Sequence, residues 1–370
     1  MKIKLLITTL IFSIFWVNYS FAQGCMEPKS EDGVSVIGFI QPQYNYSFLG
    51  EDSDGNSLNE SSFLFNRARI GVTGTIPYDF SYYAMTEFSP TLGGPMLLDY
   101  FITWKRLGKW ANISVGQFKQ PFGLELSTPC HKLHTINRSR VANELASPFR
   151  DLGVMISGTS GDLSIAGLDN QNIIQYQLAY VNGAGLNKTD TTNYKDFVGR
   201  LVISPFAFIS IGGSYRTGKQ KNPDPSIEKA DERSRWGADI SIDYANFLIQ
   251  GEYISGTDKG SKLVGGGGCG GGSGELVAGN FESNGYALLA MYKTPWNLQP
   301  LVKYESYDPN IDEDYDKEST LTFGLNYFFN EWTRLQINYL YNVEESSETD
   351  PGLYNEIDND MLMVQLQVVF

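Results

Sequence analysis

Ten residues at the C-terminus, MLMVQLQVVF, constrain the fold more than any other stretch of the chain. Side chains alternate across a strand with period 2. Leu362, Val364, Leu366, Val368 and Phe370 therefore share one apolar face, and Gln365 and Gln367 share the other. In a water-soluble protein the oily face would need a core. Here the rest of the chain points to lipid.

The same alternation recurs along the 370 residues. Strands are expected near 34–48, 63–74, 80–88, 96–105, 111–118, 150–158, 172–181 and 196–204. They continue near 207–216, 234–244, 246–255, 283–292, 298–307, 318–329, 333–343 and 361–370. The count is even, as in single-chain bacterial barrels, and the lengths cluster near the ~9–11 residues that a tilted strand needs to cross a bilayer. Short connections (TIPYD, RLGKW, Pro205, Ala245-Asn246, TPWN, NEW) alternate with long ones at 49–62, 182–195, 217–233, 256–282, 308–317 and 344–360. Short turns at one end and long loops at the other are the outer-membrane arrangement. The stretch 159–171 is the one long connection on the short side. The fold class is thus all-β: a closed transmembrane antiparallel barrel of about sixteen strands.

Strand faces agree. Trp236, Ala238, Ile240, Ile242 and Tyr244 oppose Asp239, Ser241 and Asp243; Leu321, Phe323, Leu325, Tyr327 and Phe329 oppose Thr320, Thr322 and Asn326. Leu335, Ile337, Tyr339, Tyr341 and Val343 oppose Gln336, Asn338 and Asn342. Aromatics gather at strand ends, as an interfacial girdle requires. The polar face lines a wet interior. Because no backbone group can stay unpaired in hydrocarbon, the last strand must pair with the first, near VSVIGFIQPQYNYSF.

The N-terminus carries Lys2 and Lys4, then the apolar run LLITTLIFSIFWV, then SFA before Gln23. This is the pattern of a secretory signal, so residues 1–22 read as a signal peptide and 23–370 as the barrel domain. Residues Ala-Gln-Gly before Cys25 fit a lipidation box poorly. Three cysteines, Cys25, Cys130 and Cys269, make no dense disulfide framework. The net charge of −14 is concentrated late: from Glu305 to Asp360 there are fifteen acidic residues and two basic ones, Lys317 and Arg334. Solvation of exposed loops explains it, and neither acidic run has calcium-loop spacing. The run GGGGCGGGSG at 265–274 reads as a flexible external loop, since no phosphate-binding Lys-Ser/Thr follows it.

One connection differs. QPFGLELSTPCHKLHTINRSRVANELASPFRD, about thirty residues between strands 111–118 and 150–158, holds both histidines, His131 and His134. With Lys119 just before it, its bases are Lys119, Lys132, Arg138, Arg140 and Arg150, against Glu125, Glu144 and Asp151. It is net positive inside an acidic protein. A loop this long is usually functional or disordered; folded into the barrel, it would narrow the pore and set its charge.

The motifs FNRARIGVTGT, VGQFKQPFGLE and SPFRDLGVMISG resemble the phosphate-selective porin O and P family of Gram-negative outer membranes. The resemblance runs from about residue 36 to Phe370. It implies a sixteen-stranded barrel, usually a homotrimer, whose third long loop folds inward. Basic side chains on that loop and on the wall would then guide anions, with Lys119 and the 130–140 cluster near the constriction.

The wall can be read by parity alone. Arg67 and Arg69 lie with Gly71 and Thr73; Arg216 lies with Ser210, Gly212 and Ser214; Arg200 lies opposite Leu201 and Ile203. Lys105 and Lys303 fall on the polar side of their strands. Charge at mid-membrane on the lipid face costs about 2–4 kcal/mol, so these residues face the lumen or a rim, and rings of Arg and Lys select anions. Glu87, Asp99, Asp239, Asp243, Glu252 and Glu305 also read inward and could cancel them.

A zinc reading of Cys130, His131 and His134 lacks a fourth ligand. A barrel hydrolase would need its histidine on the outer wall, and no basic surface suits nucleic acid. No catalytic residues, no metal and no cofactor are expected. The expectation is an outer-membrane porin passing small hydrophilic solutes, anions such as phosphate or polyphosphate foremost, with outer-membrane lipid around it. The alternatives are a general, weakly selective or cation-preferring porin, and a surface adhesin whose acidic loops bind a partner.

Overall fold

The computed structural model describes residues 33–370, apart from 77–78, 166–167, 191, 223, 225, 228–229, 265–274 and 346–356. The expected signal segment 1–22, Cys25, the Gly-rich run at 265–274 with Cys269, and most of the 344–360 acidic loop lie outside the described residues.

Strands β1 (Val34–Ser47), β2 (Glu60–Ile76), β3 (Phe80–Glu87), β4 (Met96–Trp104), β5 (Asn112–Lys119) and β6 (Arg150–Thr159) build the first wall segment. A small hairpin, β7 (Asp162–Ile165) and β8 (Leu168–Gln171), follows. The wall continues with β9 (Ile174–Val181), β10 (Asp196–Phe206), β11 (Ile209–Gln220), β12 (Asp231–Tyr244) and β13 (Phe247–Asp258). A second hairpin, β14 (Ser261–Val264) and β15 (Glu275–Ala278), precedes β16 (Phe281–Tyr292), β17 (Leu298–Asp308), β18 (Glu318–Phe328), β19 (Thr333–Glu344) and β20 (Met361–Val369).

The sixteen wall strands close into an antiparallel barrel, with β1 beside both β2 and β20. The sixteen strands read from the sequence are these sixteen. The two hairpins stand apart as two-stranded sheets, and the first accounts for the long connection at 159–171.

The terminal phenylalanine takes part in the closure. Phe370 N–H donates to Gly38 O at 3.0 Å, and Gly38 N–H donates to Phe370 O at 2.9 Å. A Cβ on Gly38 would lie 2.7 Å from the Phe370 ring and 2.5 Å from Arg69 O. Glycine at this position lets the aromatic lie flat on the seam.

Pro42 interrupts β1, and the β1–β2 register shifts between Gln41 and Pro42. Proline cannot donate to the ladder, so a bulge is where a strand tolerates it. The β12–β13 turn places Ala245 at φ 51° and Asn246 at φ 70°; two left-handed residues make the tight hairpin that matches strand twist.

The apolar faces point outward. Trp236, Ile240, Phe323 and Leu366 are exposed on the outer surface, whereas Asp239, Thr322, Asn326, Gln336 and Gln367 are buried inside. Aromatics form two girdles. Near the short turns, Phe206 stacks on Phe208, Phe208 packs on Tyr244, and Phe247 packs on Tyr292, with centroids 5.6, 5.2 and 4.7 Å apart. Toward the long loops, Trp236 meets Tyr253 at 5.1 Å and Tyr286 meets Tyr304 at 5.9 Å. Aromatic belts at both interfaces are what a bilayer selects. Among the described residues no helix is long and apolar enough to cross a membrane.

Candidate pore constriction

The β5–β6 connection folds into the barrel and crosses it. Short helices at Leu124–Ser127 and Arg140–Leu145 carry Leu126, Val141, Ala142 and Leu145, all buried together with Phe118, Phe122 and Phe149. These apolar anchors explain why a thirty-residue loop holds a shape. Ser139 caps the second helix, its Oγ accepting from Ala142 N–H at 3.3 Å.

Wall side chains hold the loop's backbone. Glu252 on β13 accepts from Leu124 N–H at 2.7 Å and Glu125 N–H at 2.9 Å. Glu305 on β17 accepts from Arg140 N–H at 2.9 Å. Asn338 on β19 accepts from Ile136 N–H at 2.8 Å, and Asn326 on β18 donates to His134 O at 2.9 Å. Backbone groups deep in the lumen must find partners, and polar wall residues supply them. Inside the loop, Glu125 Oε2 accepts from both Ser139 N–H and Ser139 Oγ at 2.6 Å. Burial would raise the Glu125 carboxyl, but nearby Lys303 and these bonds hold it below the ordinary carboxylate range.

Most wall cations face a carboxylate. Arg69 pairs with Glu87 at 2.7 Å, Arg150 with Asp99 at 2.9 Å, and Arg200 with Asp239 at 2.5 Å. Arg216 and Arg233 share Asp196, each at 2.8 Å, and Arg235 meets Asp258 at 2.7 Å. Lys303 lies 2.8 Å from Glu305 and 3.5 Å from Glu125. Arg69, Arg200, Arg216 and Lys303, which parity put on the polar face of their strands, are all buried.

Loop cations vary more. Arg138 is buried; it donates to Glu125 O and Thr128 O, both at 2.7 Å, and lies over the Phe149 ring. Arg140 is half exposed and pairs with Glu318 at 2.7 Å. Lys119 is half-buried, with Nζ 3.4 Å from Thr128 O. Lys132 is exposed. Lys105 takes the rim rather than the lumen, the two places the sequence reading allowed: β4 ends at Trp104, one residue short of the expected strand, so Lys105 is exposed in the following turn.

The seam between β19 and β2 differs from the rest of the wall. Arg67 donates to Gln41 Oε1 at 2.9 Å and to Ile136 O at 3.3 Å. Arg334 donates to Gln367 Oε1 at 3.0 Å and to His131 O at 2.8 Å. Gln41 donates to Gln367 at 2.7 Å, so two glutamines bridge two guanidinium groups. Neither arginine has a carboxylate partner among the described residues, and the buried Nε of each lacks an acceptor. Next to Arg334 opens a cavity of about 600 Å³, lined among others by His131, Lys132, His134, Lys293, Glu331 and Gln367. Burial pushes His131 down to about 3 and His134 down to about 4, so both rings are neutral near pH 7.

The sequence reading did not single out Arg233, Arg235 or Arg334. Parity could have found them: Arg233 and Arg235 share the face of Asp239, and Arg334 shares that of Gln336.

The family described as phosphate-selective porin O and P matches residues 40–226. No curated protein matches the chain. Among solved structures, the chain is similar to the anion-selective porin from Comamonas acidovorans, with 13% identity, a TM-score of 0.63, and coverage of 91% of this chain and 99% of that one. It is also similar to the outer membrane channel DcaP of Acinetobacter baumannii, with 12% identity, a TM-score of 0.61, and 94% and 100% coverage. OmpT of Vibrio cholerae, in its trimer form, shares 11% identity at a TM-score of 0.59, with 92% and 100% coverage. At such identities the likeness speaks to the barrel fold.

Proposed function

The chain belongs to the phosphate-selective porin O and P family of outer-membrane porins, and we propose that its pore passes small anions in preference to cations, by passive flow and with no bond made or broken. One observation carries this reading: Arg67 and Arg334 flank the inward loop with neutral acceptors alone. The paired wall cations contribute little net field, because a carboxylate within hydrogen-bond reach cancels each of them at a distance. Arg69, Arg150, Arg200 and Arg216 then act as wall braces. The uncancelled charge of Arg67 and Arg334 marks an anion route past the loop; Lys293, in the same cavity as Arg334, is paired with Asp243 at 2.5 Å and adds little. Weak successive sites of this kind let an ion both enter and leave. The printed selectivity of the Comamonas porin points the same way.

By analogy with the trimer form of OmpT, the working unit is a homotrimer, and residues 1–22 are a leader removed on export. The testing measurement is the reversal potential of the purified protein in a planar bilayer under a salt gradient, repeated with phosphate. Anion sign, with phosphate depressing the chloride current, is expected. A potential at zero or of cation sign would overturn the reading and leave a general pore.

A further inference from the structure

The outer surface carries a second charged site, independent of the pore. At the long-loop end of β10 to β13, an outward cavity of about 460 Å³ is lined by Tyr194, Lys195, Phe197, Tyr215, Lys219 and Lys259, among others. The strand register sorts its surroundings into three rows. Tyr215 pairs with Trp236 in the lowest row, and both are exposed on the lipid side. Above them Thr217 pairs with Ser234, and Ser234 with Thr257, giving a row of hydroxyls. Above these Lys219 pairs with Glu232, and Lys259 N–H donates to Glu232 O at 2.9 Å.

Chain geometry places the rows against the bilayer. Tyr244, in the girdle near the short turns, is on the same strand and face as Trp236, Ser234 and Glu232. Antiparallel strands rise ~3.4 Å per residue and tilt by about 40°, so eight residues to Trp236 climb about 21 Å and twelve to Glu232 climb about 31 Å. The apolar band of such barrels is about 25 Å tall. The indole therefore sits just inside the hydrocarbon, the hydroxyls at its edge, and the lysines a few ångströms beyond it. That is the order of acyl chain, linker and phosphate in a phosphorylated lipid.

The charge fits as well. The chain carries −14 overall, yet this cavity gathers three lysines, and Glu232 is the one acid among its described lining residues. Lys219 and Lys259 reach Glu232 at 3.9 and 3.6 Å with more than half of its side chain exposed. Such loose surface pairs are weak, so the carboxylate can turn away while the two ammonium groups stay side by side. Lys219 lies over the Tyr194 ring at 4.8 Å, and Lys195 is anchored by Asp190.

We infer that this cavity binds the phosphorylated headgroup of an outer-leaflet lipid, the phosphate held by Lys195, Lys219 and Lys259 and the acyl chains lying on Tyr215 and Trp236. The probe is lipid A in detergent micelles, with bound lipid counted by native mass spectrometry of the intact barrel. Native protein is expected to retain one lipid A, and the K195Q/K219Q/K259Q variant to bind it about a hundredfold more weakly, at roughly one surface-charge contact per lysine. The K105Q/K109Q variant, altered at exposed lysines of the short turn after β4 on the opposite rim, is expected to retain it fully. Pore conductance reports folding in each case, because none of the three lysines lines the lumen. Equal retention by native protein and triple variant would overturn the inference. Displacement of lipid A by inorganic phosphate, or equal retention of dephosphorylated lipid A, would also overturn it, the first marking a free-anion site and the second a purely apolar one.

Discussion

Arg67 and Arg334 are the residues on which anion preference should turn, and replacing both with glutamine tests this directly. An ion passing about 6 Å from each guanidinium in a water-filled pore feels about 0.7 kcal/mol per charge. Screening at ~0.1 M salt, where the Debye length is ~10 Å, reduces this by nearly half. The two charges then favour an anion by about 0.8 kcal/mol and disfavour a cation by as much, so removing both should lower the anion-to-cation permeability ratio roughly tenfold. Under a tenfold gradient, where ideal selectivity corresponds to ~59 mV, a drop in that ratio from about ten to about one moves the reversal potential by on the order of 40 mV. Glutamine keeps an amide that can still donate toward Ile136 O or His131 O, so the loop retains a tether at each site. The R67K/R334K variant keeps the charge but loses the planar fork, and should keep the native potential. Unchanged selectivity in the glutamine variant at native conductance would refute the assignment. Equal loss in the lysine variant would instead show that loop geometry, not charge, sets selectivity.

Three further outcomes are expected. Asp196→Asn leaves Arg216 and Arg233 buried without their shared carboxylate, which should cost about 3–5 kcal/mol; urea unfolding followed by gel mobility would read it, and a loss under 1 kcal/mol would show the pair is wetter than the structure implies. Gly38→Ala forces a Cβ against Arg69 O and the Phe370 ring, so closure of β1 on β20 should weaken by about 1–3 kcal/mol, seen as a lower melting temperature of the barrel. Acidification should loosen the loop: the released rings bind protons below about pH 6.5 while His131 and His134 resist protonation down to about 3 and about 4, so the loop-in state loses stability as pH falls through that window. The effect at pH 5 is up to about 2 kcal/mol per ring, less for any exposure to the cavity; noisier single-channel current at pH 5, absent in H131Q/H134Q, would check it.

Much of this barrel is legible without coordinates, for a local reason. Inward and outward residues alternate within each strand, so Asp239 against Trp236 or Gln336 against Leu335 can be assigned from two neighbours. Length does the same for connections: two residues at Ala245-Asn246 can only make a hairpin, while a thirty-residue loop with apolar anchors needs a place to bury them. The edge of a strand is less legible. Parity put Lys105 on a polar face without deciding between lumen and rim; parity holds only while the chain is extended, and β4 stops at Trp104. Arg233 escaped notice because the strand was begun at 234, whereas β12 starts at Asp231; Arg235 lay inside the expected strand, on the face of Asp239, and was passed over.

The amino-acid sequence by itself determined that the chain is a barrel, which faces are wet, and that a basic loop sits inside an acidic protein. These follow from period-2 patterning and from the cost of bare backbone in lipid. Only the tertiary structure decided which charges survive. Arg200 and Asp239 lie 39 residues apart, and Arg150 and Asp99 lie 51 apart; their pairing depends on the register of strands wound around a closed wall. Arg67 and Arg334 come from opposite ends of the chain and meet only because β20 closes on β1. A count of bases and acids is blind to that closure. The field in a pore depends on which opposite charges lie within a few ångströms of each other, and that is a property of the closed barrel.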